Sequence, residues 1–305
     1  MGWRPSREDV VGLILAGSAA ALTYAYLRRR ESSLKTTGRP FLVDSNKKYS
    51  VKLVAREHLG RNVVRLRFAL PDDCYLGLET GQHIQLTAEI GEKSVTRNYT
   101  PVSLVRELGY FELIIKVYDE VAEQPGRGAF SRHIGNLPIG GEVLVRGPVG
   151  QNVYHGRGTW TVKKKTQKLS LKGIKKLGLV AGGSGITPML QTLHHVANDL
   201  DDPTEIGLVF ANSSDDDLFL QEYLDALREA SNSRLQVWYT LSTSKKSGAD
   251  WPYSVGRIDH PMLSQRLPSP GSETLILICG PRPFETTALE ILARVGHHEN
   301  NIITL

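Results

Sequence analysis

The sequence predicts an antiparallel β-barrel followed by a doubly wound α/β domain with a parallel sheet, preceded by an N-terminal transmembrane helix. Three observations predict it. Residues 10–27 are an uncharged run with three arginines directly behind it. From Lys48 to Gly150 apolar and polar residues alternate in short runs of period two. After about Gly158, continuous apolar strands alternate with helical stretches. The implied division is an anchor at 10–27, a linker at 28–46, the barrel at 47–157, a basic connecting loop at 158–174 and the α/β domain at 175–305.

The run from Val10 to Leu27 holds 18 residues. As a helix it is roughly 27 Å long, enough for a bilayer core. Arg28, Arg29 and Arg30 follow at once, and Tyr24 and Tyr26 stand at the same end. By the positive-inside rule these arginines hold the larger C-terminal part in the cytosol. Arg4, Arg7 and the Ala19–Ala21 stretch also fit a cleaved secretory signal, but the arginine cluster favours an anchor. Residues 31–46, rich in Ser, Thr, Lys and Gly, read as a tether.

In the barrel region Val64, Leu66 and Phe68 share one strand face, with Arg65 and Arg67 on the other. Phe111, Leu113, Ile115 and Val117 alternate with Tyr110, Glu112, Ile114 and Lys116. Such a sheet protects its edges by curling or by packing on another layer. Beyond the lysine-rich stretch (Lys163, Lys164, Lys165, Lys168, Lys172), strands are expected at 177–181, 206–211, 235–241 and 275–279. Helices are expected from Pro188, through 218–227, near 262–267 and over 283–295. This alternation makes a parallel sheet covered on both faces.

Composition narrows the function. Two cysteines, Cys74 and Cys279, exclude a disulfide scaffold and suit a reducing compartment. A net charge of +5 without long like-charge blocks or basic-aromatic interleaving gives no sign of nucleic acid. It leaves room for an acidic protein partner or an anionic membrane.

Four short motifs carry chemistry. Gly182-Gly183-Ser184-Gly185 follows an apolar strand and precedes a helix with Pro188 in its first turn. Backbone amides there suit a pyrophosphate, although a plain tight turn reads the same way. Gly128-Ala129-Phe130-Ser131 opens another helix, where Ser131 is either an ordinary cap or a phosphate ligand. Arg97 can grip a diphosphate, Tyr99 can cover a flat heterocycle, and Thr100 can donate a hydroxyl hydrogen bond; a surface charge beside an interface aromatic is the plainer reading. Cys279 ends an apolar strand before Gly280-Pro281, at the carboxyl edge where ligands of such sheets bind.

Taken in order, these motifs resemble the NADH–cytochrome b5 reductases of the ferredoxin-NADP⁺ reductase superfamily. The resemblance runs from about Tyr49 to the C-terminus and includes Gly81-Gln82-His83, residues 115–118, 146–150 and 211–218. It implies FAD in the barrel and NADH in the α/β domain, with hydride passing from NADH to the flavin N5 and single electrons then leaving for cytochrome b5 or a similar haem protein. It assigns Arg97 to the FAD pyrophosphate, Tyr99 to the isoalloxazine and Thr100 to the N5 edge. Ile114 and Lys116 fall at flavin and adenylate contacts, and Gly128 to Ser131 at the pyrophosphate cradle. Gly182, Gly183, Ser184, Gly185, Thr187 and Pro188 line the nicotinamide side, with Thr187 and Cys279 near hydride transfer and Gly280 and Pro281 among the cofactor-binding residues. No metal and no side-chain nucleophile are expected.

Asn98 stands where the family usually has Pro, Ala129-Phe130 where it has Lys-Met, and Ser184 where it has Thr. Ser242 replaces an Asp that accepts the adenosine ribose hydroxyls, and Lys245 and Lys246 follow, so NADPH joins NADH as a candidate donor. The membrane is that of the endoplasmic reticulum or the mitochondrial outer membrane. The rivals are a reductase of the same superfamily serving a quinone or ferric acceptor, and a tethered scaffold without flavin.

Overall fold

The computed structural model describes residues 37–119, 128–164, 167–199, 201–231, 233–246 and 250–305. The anchor expected at 10–27 lies outside them. Among the described residues no helix is long and apolar enough to cross a membrane.

The first layer is antiparallel. Its strands are β1 (Tyr49–Gly60), β2 (Val63–Ala69), β3 (His83–Ile90), β4 (Lys93–Tyr99), β5 (Tyr110–Lys116) and β6 (Glu142–Val149), with helix α1 (Ala129–Gly135) between the last two. They pair in the order β4-β3-β6-β1-β2-β5. The twelve-residue β1 turns the corner: Tyr49–Lys52 pair with β6, whereas Leu53–Gly60 pair with β2 through irregularities at 53–55 and 58–60. Such bulges bend a strand and raise its twist. The sheet curls around a core of Leu53, Leu66, Phe68, Ile84, Leu86, Phe111 and Leu113. The expected barrel is thus a curled sheet whose edges, β4 and β5, are not hydrogen-bonded to each other.

The expected alternation in β2 and β5 holds, with an informative excess. Val64, Leu66 and Phe68 are buried, but so are Val63, Glu112 and Ile114 on the opposite face. Glu112 is paired with Arg67, directly opposite in register, at 2.7 and 2.9 Å. A β-strand apolar on both faces needs a second covering layer, and here the next domain supplies it.

The expected basic loop is instead a hairpin. Strands β7 (Val153–Gly156), β8 (Thr159–Lys164) and β9 (Gln167–Leu171) form a three-stranded antiparallel sheet. Tyr154, Trp160 and Val162 point into the core of the second domain, while Lys163 faces Lys168 across the pair. The last strand of the curled sheet ends at Val149, and the hairpin packs its apolar side chains with those of the second domain.

The second domain contains β10 (Lys176–Gly182), α2 (Ile186–Asn198), β11 (Glu205–Asn212), α3 (Gln221–Ala230), β12 (Leu235–Leu241), β13 (Ser254–Val255), α4 (His260–Arg266), β14 (Thr274–Cys279), α5 (Arg282–Val295) and β15 (Ile302–Thr304). The sheet is parallel throughout, ordered β13-β12-β11-β10-β14-β15. Its central strands are apolar end to end because helices cover both faces. One core lies under α2 and α3, and another, around Val180, Val209, Ile276 and Ile278, under α4 and α5.

Two adjacent histidines near the end of α2 illustrate how the layers meet. His194 is buried with Nε2 2.6 Å from Tyr223 Oη. Burial pushes its imidazole down to about 4, against the opposing pulls of Glu112 and the Val102 backbone in the first domain. Its folded value lies below the unfolded one, so the unfolded chain binds the extra proton between them and stability falls as pH drops through that window. From pH 6.5 to 4 the loss should approach about 3 kcal/mol. Urea unfolding followed across that range should show the slope, and His194→Gln should flatten it.

Candidate functional site

The glycine turn is built by close approach. Gly185 lies so near the end of β14 that a Cβ there would sit 2.2 Å from the Cys279 carbonyl oxygen. Gly183 has φ +54° and open space where a side chain would go, which suits a ligand lying against the backbone. The Thr187 hydroxyl donates to the Ser184 carbonyl at 3.1 Å, fixing the turn to the start of α2. The register Ala181↔Cys279 and Gly182↔Ala211 brings the carboxyl ends of β14, β10 and β11 level. Gly182 to Pro188 and Cys279 to Pro281 thus meet at the carboxyl edge of the sheet.

The Cys279 thiol is pushed up to about 12 by burial and by nearby Glu285. It stays protonated at neutral pH, 3.8 Å from the Leu305 carbonyl oxygen, and has none of the thiolate character of a nucleophile. Glu285 accepts from the Gly280 amide at 3.2 Å, pinning the turn after β14. Among the described residues no group of His, Cys, Asp and Glu is arranged to hold a metal ion.

On the first domain, β4 is an edge strand and presents its motif outward. Arg97 is exposed, with one guanidinium nitrogen donating to the Thr96 carbonyl at 2.8 Å. Asn98 faces Gln85 in register and accepts from its amide at 3.1 Å, while Arg146 donates to the same glutamine. Asn98 is thus held within the sheet. Tyr99 is half-buried and its ring lies nearly parallel to Phe130 of α1, centroids 6.1 Å apart. Burial raises its phenol to about 12, so the ring is neutral. Phe130 therefore backs the aromatic face that the motif offers.

Ser131 differs from expectation. The left-handed Gly128 precedes α1, and Ser131 lies inside the helix. Its hydroxyl donates to the Gly128 carbonyl at 2.9 Å and accepts from the Tyr118 amide at 3.1 Å. It ties the loop to the end of β5 and is not the cap. Lys116 likewise is engaged, 2.6 Å from Asp217 across the domain boundary. Ile114 is buried in a cluster that also holds Val63, Val102, Ile186 and Met189, and β5 runs beside the Gly183–Gly185 turn.

Ser242 is exposed after β12, and its amide donates to the Asn212 carbonyl at 2.9 Å. The loop beyond is fastened through Asp215, which accepts from the Lys245 amide at 2.9 Å and the Ser244 hydroxyl at 3.0 Å. The Lys245 amide, first, and the Ser244 hydroxyl hold the Asp215 carboxyl below its usual range. Lys245 and Lys246 thus share their surroundings with Asp215, Asp216 and Asp217.

Three residues received no individual role from the sequence, although each lies in a stretch that the resemblance includes. Asn212, the last residue of β11, is buried with both side-chain amide atoms lacking a hydrogen-bond partner, which marks a ligand-facing group at a carboxyl strand end. His83 opens β3 with its Nε2 out of solvent and unpaired, and burial lowers its basicity. Asp217 is the third. The available signal was position: Asn212 and Asp217 fall just where an apolar strand meets a polar turn.

The open backbone at Gly183, the orphaned amide of Asn212 and the outward Arg97 fit a nucleotide on one side and a diphosphate-bearing cofactor on the other. Comparisons agree. The FAD-binding domain of oxidoreductases matches residues 50–154, and the oxidoreductase NAD-binding domain matches residues 179–290. NADH-cytochrome b5 reductase 3 of Rattus norvegicus is 40% identical over 263 residues, covering 84% of this chain and 86% of that protein. NADH-cytochrome b5 reductase 2 of Mus musculus is 39% identical over 247 residues, covering 80% and 88%. The cytochrome b5 reductase domain of Ulva prolifera nitrate reductase superposes with a TM-score of 0.77 at 29% identity, over 87% of this chain and 100% of that one. With both domains matched and relatives of 39–40% identity covering most of both chains, the chain belongs to the NADH–cytochrome b5 reductase family.

Proposed function

We propose that the protein is a membrane-anchored, FAD-dependent NADH–cytochrome b5 reductase. One observation carries this reading: strand β5 of the flavin layer lies against the glycine turn of the nucleotide layer, with Ile114, Val63 and Val102 sharing a core with Ile186 and Met189. Two cofactor surfaces joined in this way serve transfer between cofactors. FAD, when bound, supplies the conversion between two-electron and one-electron chemistry.

The side chains bind and orient. Arg97 offers an exposed guanidinium to the FAD diphosphate. Tyr99, backed by Phe130, lies along the isoalloxazine, and Thr100 follows at its edge. Thr187, Cys279 and the Asn212 amide receive the nicotinamide end. The aspartates at 215–217 beside Ser242 disfavour an additional phosphate, which supports NADH over NADPH although Ser242 lacks a carboxylate. The paired Lys163 and Lys168 give the hairpin a basic outer edge suited to an acidic haem protein. Residues 10–27 read as the bilayer anchor, the catalytic part facing the cytosol. A tethered enzyme meets a tethered acceptor at raised effective concentration.

Purified full-length protein should show a flavin spectrum that NADH bleaches anaerobically and NADPH bleaches less completely at equal concentration. Oxidised cytochrome b5 should restore the spectrum. Protein that stays colourless after incubation with FAD would refute the reading. Arg97→Ala should weaken FAD retention by about 1.5–3 kcal/mol, the usual worth of a charged hydrogen bond. Flavin released on gel filtration is the check.

A further inference from the structure

Helix α2 starts at the glycine turn, and the residues at every fourth position along it, Thr187, Gln191 and His195, share one face. All of that face beyond Thr187 is bonded to the other domain. The Gly81 amide donates to Gln191 Oε1 at 2.5 Å, and Gln191 Nε2 donates to the Gln82 carbonyl at 3.2 Å. One turn later His195 Nδ1 lies 2.8 Å from Thr80 Oγ1. Gln191 and Thr80 are buried. Gly81 admits no side chain, because a Cβ there would lie 2.2 Å from the Asn152 carbonyl oxygen.

The far side of His195 is braced as well. Its ring stands edge-on to Tyr154, centroids 4.9 Å apart. The Tyr154 hydroxyl donates to buried Asp202, beyond the end of α2. Arg157 reaches Asp199 at 2.9 Å and Asp201 at 3.0 Å. The path from one cofactor surface to the other is short: residues 80–82 run straight into β3, whose Ile84 stands opposite Tyr99 in β4.

We propose that Gln191 and His195 are positioning residues for hydride transfer, holding Thr187 and the glycine turn in register with the flavin-binding strands. The inference rests on the proposed reductase activity. Neither side chain touches either cofactor surface; each acts through α2. An apolar contact tolerates sliding, but a carboxamide that bonds the amide of one residue and the carbonyl of the next fixes both distance and angle. Because a misplacement of about 1 Å costs up to roughly a hundredfold in rate, loosening this seam should slow transfer while leaving each cofactor bound.

The test is rapid mixing of the FAD-loaded full-length protein with NADH and with NADH deuterated at C4, following flavin bleaching. Gln191→Leu and His195→Leu should each lower the limiting rate by at least about tenfold and retain a deuterium isotope effect. The NADH dissociation constant should stay within about threefold and FAD should remain stoichiometric. His195→Gln, which keeps a polar atom toward Thr80, should recover most of the rate. Thr80→Val deletes only a hydroxyl and carries the test if a leucine variant does not fold; its slowing should not add to that of His195→Leu. Wild-type limiting rates in the variants, or slowing that merely tracks lost FAD or weakened NADH binding, would overturn the positioning role. A wild-type protein that NADH does not reduce would instead overturn the reductase reading itself, and the inference with it.

Discussion

Hydride transfer demands that donor and acceptor carbon and nitrogen atoms meet at contact distance, and this chain distributes their binding surfaces over two separately packed layers. The seam between those layers is therefore the constraint on which the rest depends. Domains joined only by a small polar interface move relative to each other by default. Here Val63, Val102 and Ile114 enter the core beneath α2, together with Ile186 and Met189. This apolar contact supplies adhesion, and the bonds from Gln191 and His195 supply register. The division follows from the physics: burial is non-directional, whereas hydrogen bonds weaken steeply away from linearity.

The seam also explains features that look anomalous within one domain. Glu112 would be a poor choice for a buried strand position, yet Arg67 opposite satisfies it through two nitrogens while resting over the Tyr110 ring at 4.2 Å. His194 would be a poor choice for a helix interior, yet it reaches Tyr223 on one side and the Val102 backbone on the other. Lys116 crosses the boundary to Asp217. Each of these three has a partner, as the cost of leaving a buried polar group unpaired requires. Asn212 departs from that pattern, and its position at a carboxyl strand end gives a ligand as the natural partner.

What the sequence disclosed depended on how cleanly periodicity mapped onto burial. Strands β10, β11 and β14 were legible because Leu177–Ala181, Ile206–Ala211 and Leu275–Cys279 are apolar throughout, with turns at their ends. The hairpin at 153–171 was not, since Lys163, Lys164, Lys165 and Lys168 hide the inward alternation of Trp160 and Val162. The edge strands Ser254–Val255 and Ile302–Thr304 are too short to carry a period. Helix α3 begins at Gln221, after the aspartate turn at 215–217, so its expected start at 218 was early. The face that joins the two domains was opaque. Gln191, His194 and His195 have the look of a solvent-facing stripe, and only their partners show that they face inward.

Titration behaviour distinguishes the kind of site this is. Burial raises the Tyr99 phenol and the Cys279 thiol to about 12 and lowers His194 to about 4, and it depresses His83 and His195 as well. Burial thus displaces each of these five groups toward its neutral form. A general acid or base works best with its proton affinity near ambient pH, and these groups have been moved away from it. Ion pairs nonetheless stand at the seam, Lys116 with Asp217 and Arg67 with Glu112, while Arg97 is exposed on the edge strand. Neutral groups and paired charges suit cofactors that bring their own chemistry, and they leave the protein the work of alignment.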